Sequence, residues 1–331
     1  MPERIGRNLG FDLVRVTESA ALSAARWQGR GDKNAIDDAA VQAMRYVLQY
    51  IPMDGIVVIG EGEKDEAPML YIGEQIGTGE SPKVDVAVDP VDGTTLLSKG
   101  LNNAISVVAL ASRGSMFYAP GIVYMDKIAV GPNAKGCIHL DAGVAENLRS
   151  VARCKDLPVE EITVVILDRP RHEAIINEVR QTGARIKLIG DGDVAGAIMT
   201  SLEGTGVDIL MGIGGAPEAV IAACALKCLG GEIQCRMYPR NDAERQTAVA
   251  AGFDVDKILT IDDLVNDDDV FLALTGITSG ELVRGVRYTT HGAETESLMM
   301  RSRSGTIRRI EASHNFDKLT RITSVPYGRG A

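Results

Sequence analysis

The stretch VDVAVDPVDGTTLLSKG, residues 84–100, sets Asp89 and Asp92 three residues apart with Pro90, Gly93, Thr94 and Thr95 around them. It opens as an apolar-alternating run, the pattern of a buried strand. Two carboxylates at a strand end, stiffened by a proline and bent by a glycine, suit a hard divalent cation that takes oxygen ligands. The same composition also describes an ordinary β-turn. Three other acidic stretches bear on the choice. Asp37 stands at a helix start after GRGDKN; Glu61, Glu63, Asp65 and Glu66 crowd one loop; Glu218 follows a glycine-rich turn. Singly, Asp37 reads as readily as a helix cap, and the acidic loop as a solvated surface. Together, so many carboxylates at strand ends repel one another unless a cation shares the site. The histidines (His139, His172, His291, His314) have no zinc-ligand spacing.

The elements that must position these groups are legible in outline. Residues 16–51 read as two helices broken at Gly29-Arg30-Gly31, the second opening between Asn34 and Asp38 and gathering Ala40, Met44, Val47 and Leu48 on one face. GIVVIGEGEKDEAPML reads as a strand running into the acidic loop. VDVAVDP and AISVVALAS read as strands, GIVYMDKIAVG and GCIHLDAG as hairpin strands. After about residue 150 the texture becomes regular β-α alternation from ITVVIL to EIQCRMY, which predicts a parallel sheet with helices on its faces. VFLALTGIT, VRYTTHGAETESLMMR and TIRRIEASH then return to strand texture. Ligands of such sheets bind beyond the carboxyl ends of the strands. The residues there are Asp168-Arg169-Pro170-Arg171-His172, Asp191-Gly192-Asp193 and Gly212 to Glu218, with Pro217 near a helix start whose N–H groups favour anions.

Composition narrows the class. The 331 residues are 45% apolar and 24% charged, with a net charge of −10. That balance argues against a nucleic-acid binder, which depends on a basic surface. No apolar run approaches the ~20 residues of a membrane span, and MPERIGRNLG lacks the apolar core of a signal peptide. The expectation is a cytoplasmic protein with no nucleic-acid or membrane partner. Five cysteines, odd in number and irregularly spaced, fit that compartment; Cys224 and Cys228 read as small buried hydrophobes.

DPVDGTT fits the D-P-x-D-G-T signature of the lithium-sensitive, metal-dependent phosphatases. Within that group, GRGDKNAID, VIGEGEKDEAPMLYIGE, ILDRPRHEAI, GDGDVAGAI and GIGGAPEAV together resemble the GlpX-type (class II) fructose-1,6-bisphosphatases over about residues 10–323. The resemblance implies an α/β fold, a layered α-β-α-β-α sandwich of the sugar phosphatase and inositol monophosphatase kind. It implies an N-terminal α+β metal-binding domain (1–150) and a C-terminal α/β substrate-binding domain (151–331). Carried over by motif, Asp37, Glu61, Asp89, Asp92 and Glu218 are the implied ligands of Mn²⁺ or Mg²⁺, and Lys33, Asp65 and Thr94 the implied catalytic group. Substrate contacts are implied for Asp92, Gly93, Thr94, Tyr124, Arg169, Pro170, Arg171, Asp191, Gly192, Asp193 and Gly215. Some members have Glu in place of Asp92 and Lys in place of Arg169, keeping the charge; the segment after EIQCRMYP is shorter here.

The implied reaction is hydrolysis of the 1-phosphate of fructose 1,6-bisphosphate, and also of sedoheptulose 1,7-bisphosphate, by a homodimer or homotetramer. Asp65 and Thr94 would orient the attacking water, and Arg169 and Arg171 would hold the distal phosphate. A haloacid-dehalogenase-type site has its acids two apart, not three with a proline between. A non-catalytic sugar-phosphate module would not need so many acids in one cleft, and inositol monophosphatase activity does not account for the GlpX-type motif set.

Overall fold

The computed structural model describes residues 8–62 and 69–323, together with Val325 and Tyr327. In chain order the elements are α1 (Leu9–Ala24), α2 (Lys33–Leu48), β1 (Asp54–Ile59), β2 (Gln75–Ile76), β3 (Lys83–Asp92), α3 (Thr94–Ser98) and β4 (Ile105–Ser112). There follow β5 (Tyr124–Val130), α4 (Val144–Lys155), β6 (Thr163–Leu167), α5 (Glu173–Thr182), β7 (Arg185–Ile189), α6 (Asp193–Met199), β8 (Ile209–Gly215), α7 (Ala216–Leu229), β9 (Glu232–Tyr238), α8 (Asp242–Ala250), β10 (Leu259–Thr260) and α9 (Ile261–Leu264). The chain closes with β11 (Phe271–Gly276), β12 (Arg287–Tyr288), β13 (Gly292–Arg301), β14 (Thr306–Asn315) and α10 (Phe316–Leu319). The class is mixed α/β, as expected: two sheets with helices packed on them.

Two compact units divide the chain, one of Met1–Gly114 with Asp268–Ala331, the other Ser115–Asp267. Neither boundary coincides with the texture change at residue 150. Strand pairing explains why. β5 precedes residue 150 but pairs with β8 and β9, whereas β11 follows the second unit and pairs with β4.

The first unit holds an eight-stranded sheet in the order β12-β13-β11-β4-β3-β1-β2, with β14 also on β13. Leu13, Val16 and Ala20 of α1 and Ile36, Ala40 and Met44 of α2 bury against Val84, Val86 and Val88 of β3, with Val108, Leu110 and Phe271. Small residues on both helices let them approach closely, so the core is built almost without aromatics.

The second unit holds a six-stranded sheet, β10-β9-β5-β8-β6-β7. β6 runs parallel to β7 and β8, as the alternation predicts. The sheet is not wholly parallel, because β5 inserts antiparallel between β8 and β9. Alternation along β6 and β8 gives each face its helices: Val164, Ile166, Ile209 and Met211 share a core with Leu148 and Val151 of α4 and Val179 of α5. On the other face Val165 and Leu210 lie against Gly196 of α6. GCIHLDAG, expected as a strand, is an irregular connection leading into α4. Its backbone bonds go to side chains instead of a ladder: Asn147 takes the His139 N–H (2.9 Å) and donates to the His139 and Ala142 carbonyls, and Gln234 takes the Leu140 N–H (2.9 Å).

Candidate active site

In the first unit the Asp89–Asp92 segment is not a turn. β3 continues through Pro90 to Asp92, and its pairing with β4 shifts from Asp89↔Val107 to Asp92↔Ile105. Three steps on β3 thus match two on β4, a bulge of one extra residue. Pro90, which has no N–H to offer the ladder, sits inside it. The bulge has a consequence for the acids. Residues three apart on a regular strand point to opposite faces. The extra residue restores parity, so Asp89 and Asp92 both lie on the face of Val107 and Ile105, while Val88 and Val91 keep to the apolar core. Asp89 Oδ1 accepts the Val91 N–H at 3.0 Å, and Asp92 is buried. Gly93, at φ +100°, then turns the chain into α3; a Cβ there would also press Leu96 at 3.1 Å.

Thr94 opens α3. Its hydroxyl lies 3.0 Å from Asp37 Oδ1 and 3.1 Å from the Val91 carbonyl, both of which accept from it. Asp37 is not a cap: Asp32 caps α2 by accepting the Ala35 N–H at 3.0 Å, and Asp37 stands a full turn further in. Lys33 Nζ donates to Thr95 Oγ1 at 2.8 Å, joining the start of α2 to α3. Glu61 is exposed just past β1, its N–H on the Leu70 carbonyl at 3.0 Å. Glu63, Asp65 and Glu66 lie outside the described residues. Glu74, which the sequence reading passed over, is a buried structural acid bound to Arg45 at 2.6 Å and to the Leu70 N–H.

In the second unit the three expected segments lie at the carboxyl ends of β6, β7 and β8, parallel strands that bring them to one sheet edge. Gly212–Gly215 is strand, not turn: β8 pairs with β5 as far as Gly215↔Tyr124. The reason for Gly214 and Gly215 is a buried charge cluster. Lys127 on β5, 3% exposed, donates to Asp193 Oδ2 at 2.7 Å. A Cβ at Gly214 would lie 1.9 Å from that oxygen, and one at Gly215 would lie 1.8 Å from Glu218 Oε2. Glu218 Oε2 is sealed from solvent without a hydrogen-bond partner. Burial, then the Asp193 charge, raise the Glu218 pKa; burial works to lower that of Lys127, but Asp193 and Glu218 outweigh it and raise it.

Tyr124 stands at the start of β5 with the Arg171 guanidinium 5.1 Å from its ring centre and that of Arg240 5.9 Å away. Arg171 also donates through Nε and Nη2 to the Ile213 carbonyl (3.1 and 2.7 Å), after the turn begun by Pro170. Arg169 donates to the Gly190 carbonyl at 2.7 Å and lies 3.6 Å from Asp191 Oδ1. Gly192, at φ +81°, is the left-handed cap of α6 and sets Asp193 at its first position. Lys127 and Arg240 were missed by sequence reasoning. A lysine at an inward strand position was the available signal for the first; nothing local marked the second.

A family model described as bacterial fructose-1,6-bisphosphatase, glpX-encoded, matches residues 7–314. The chain belongs to this family. It is 45% identical over 334 residues to the class 2 fructose-1,6-bisphosphatase of Haemophilus influenzae, covering 97% of this chain and 100% of that one. It is 45% identical over 325 residues to fructose-1,6-bisphosphatase 1 class 2 of Escherichia coli K12, covering 94% and 96%. Among solved structures it is similar to extragenic suppressor protein suhB of Bartonella henselae at 15% identity and a TM-score of 0.33, covering 59% of this chain and 73% of that one.

Metal dependence is general in the GlpX family. The residues here fit a hard divalent cation in kind: the implied ligands are all carboxylates, and Glu218 presents a buried oxygen without a partner. Among the described residues no three acidic, histidine or cysteine side chains are gathered as a ready-made metal cluster.

Proposed function

We propose that this GlpX-family chain hydrolyses the 1-phosphate of fructose 1,6-bisphosphate, releasing fructose 6-phosphate and phosphate, the phosphatase step of gluconeogenesis. Family membership and 45% identity to two proteins named for that activity support the reaction. The observation that carries the site assignment is the β3 bulge, which turns Asp89 and Asp92 to one face beside a threonine hydroxyl already on a carboxylate. Asp37, Glu61, Asp89, Asp92 and Glu218 would hold Mn²⁺ or Mg²⁺. Such an ion neutralises phosphoryl oxygens and acidifies a water.

The chain's own groups do the rest. Thr94, with Asp65, orients the attacking water through its hydroxyl. Lys33 adds positive charge at the start of α3. Arg169 and Arg171 hold the distal phosphate by charge-assisted bonds. Tyr124, Asp191, Gly192, Asp193 and Gly215 read the sugar, with Pro170 fixing the arginine turn. The protein works in the cytoplasm as a homodimer or homotetramer, and sedoheptulose 1,7-bisphosphate, one carbon longer, is a second substrate.

The test is kcat/KM for both bisphosphates and for inositol 1-phosphate, each with Mg²⁺ and with Mn²⁺. The expected order puts fructose 1,6-bisphosphate well above inositol 1-phosphate with either ion. A preference for the inositol ester, or turnover undiminished by chelation, would overturn the reading.

A further inference from the structure

Cys137 and Cys154 are joined by a disulfide, although nothing in their spacing or surroundings marked them as a pair. Cys224, Cys228 and Cys235 are buried and form no disulfide, as read for the first two. Cys154 is exposed at the end of α4 and Cys137 half-buried in the connection before it, so an external reagent can reach the bond. Its position is mechanically specific. Cys137 follows the short helical turn Pro132–Ala134, and Cys154 adjoins Lys155. Pro132–Ala134 and Lys155 line a polar cavity of about 400 Å³, together with Arg185 and the 200–208 loop. The cavity lies at the amino ends of β6, β7 and β8, the opposite edge from Arg169 and Glu218. The wall carrying Pro132 continues directly from β5, the strand that bears Tyr124 and Lys127.

α4 and the 138–142 connection also have attachments besides the bond. Leu148, Val151 and Ala152 anchor α4 in the core, and Asn147 and Gln234 hold the 138–142 backbone. A reachable disulfide that ties the cavity-lining 131–137 segment to α4 acts as a removable constraint.

We propose that the Cys137–Cys154 disulfide is a reversible redox site, reduced by an external dithiol, whose state sets the mobility of the wall of the cavity beside it. A dithiol's thiolate attacks the exposed Cys154 sulfur, forming a mixed disulfide and releasing the Cys137 thiolate. The reductant's second thiolate then displaces Cys154. The reductant leaves as a disulfide, two electrons have passed to the protein, and two protons end on Cys137 and Cys154.

The experiment uses the full chain. Air-equilibrated native protein is titrated with a chromogenic thiol reagent before and after dithiothreitol, and hydrogen exchange is followed by mass spectrometry in both states. The expected result is no fast-reacting thiol before reduction and two after it. Exchange over residues 131–137 should rise at least about tenfold on reduction, while β3 and β4 stay unchanged. A Cys137→Ser/Cys154→Ser double variant should exchange like the reduced protein and ignore reductant. Two fast thiols without reductant, a bond that native dithiol cannot break, or reduction without a change in exchange would each overturn the proposal.

Discussion

Asp89 and Asp92 carry the heaviest functional assignment, and each is held by local geometry that a substitution can separate from the fold. Asp89 is half-exposed, and its Oδ1 accepts a short-range bond from the Val91 N–H. Asp89→Ala should abolish phosphate release and weaken metal binding, with a melting temperature within a few degrees of wild type. Activity retained without added metal would remove Asp89 from the site. Arg171 makes a different demand. Its guanidinium rests against Tyr124 and on the Ile213 carbonyl, leaving its remaining donors to an incoming anion. Arg171→Ala should raise KM for the bisphosphate about tenfold to a hundredfold, the loss of one or two charge-assisted bonds, and raise KM for a small monophosphate ester far less. Equal effects on the two would take it out of distal-phosphate recognition. At this scale the sequence was informative about identity: the acids and arginines were named from their motifs. It was silent on partners. The Asp37–Thr94 contact spans two helices, and the orphaned Glu218 oxygen depends on strands from distant parts of the chain.

Between elements, His172 joins the end of β6 to β8. It is fully buried. Its Nε2 accepts the Ile213 N–H at 2.7 Å, so Nδ1 carries the proton and donates to the Leu167 carbonyl at 2.7 Å. Gly212, at φ +125°, packs on the ring; a Cβ would fall 2.9 Å from Nε2. The staple fixes the turn that carries Arg169 and Arg171. Burial lowers the His172 pKa, against the Leu167 bond, which raises it; Arg171 and Arg169 lower it further and Asp126 raises it. A histidine whose folded pKa is depressed contributes stability that is complete above its unfolded pKa, ~6.5, and is lost as pH falls through the folded value. Protonation at Nε2 would set two donors face to face. His172→Ala should cost about 2–4 kcal/mol from unpaired backbone groups and a cavity, and should remove the acid-side stability step seen in wild type. A variant that kept the step in a pH series of denaturant melts would refute this. The elements themselves were mostly readable from periodicity, as with α1, α2 and β6 to α7. The missed ones are instructive. α4 and α8 are short amphipathic helices in polar stretches, so their apolar stripes are brief. The β3 bulge escaped because a proline and a glycine after a strand look like its end.

For the molecule as a whole, distant segments determine behaviour that no window of sequence contains. In the first unit α1 meets β13 and β14: Thr295 Oγ1 lies 3.4 Å from Glu18 Oε1, to which it donates, and 2.8 Å from His314 Nε2. Burial pushes the Glu18 pKa up to about 7, outweighing the Thr295 bond and the Arg15 charge; burial also lowers that of His314. A carboxyl with a raised folded pKa binds its proton more tightly when folded. Its contribution is therefore complete below the unfolded pKa, ~4.5, and is lost as pH rises through about 7. Glu18→Gln should leave stability near wild type at pH 5 and raise it by about 2–3 kcal/mol at pH 8.5, read from denaturant melts at the two pH values. An equal effect at both would show that Glu18 ionises freely in the fold. By itself the sequence determined the class, the acids, the arginines and the family, because residue types and periodicity are local properties. Only the tertiary structure decided which strands share a sheet, which cysteines bond, and that Gly214 and Gly215 of β8 make room for Lys127, Asp193 and Glu218. Those facts depend on chain segments brought together across long sequence separations. The two acids of VDVAVDPVDGTT show both limits at once: their presence was written in the chain, but that they face the same way was decided by one extra residue in the register of β3 against β4.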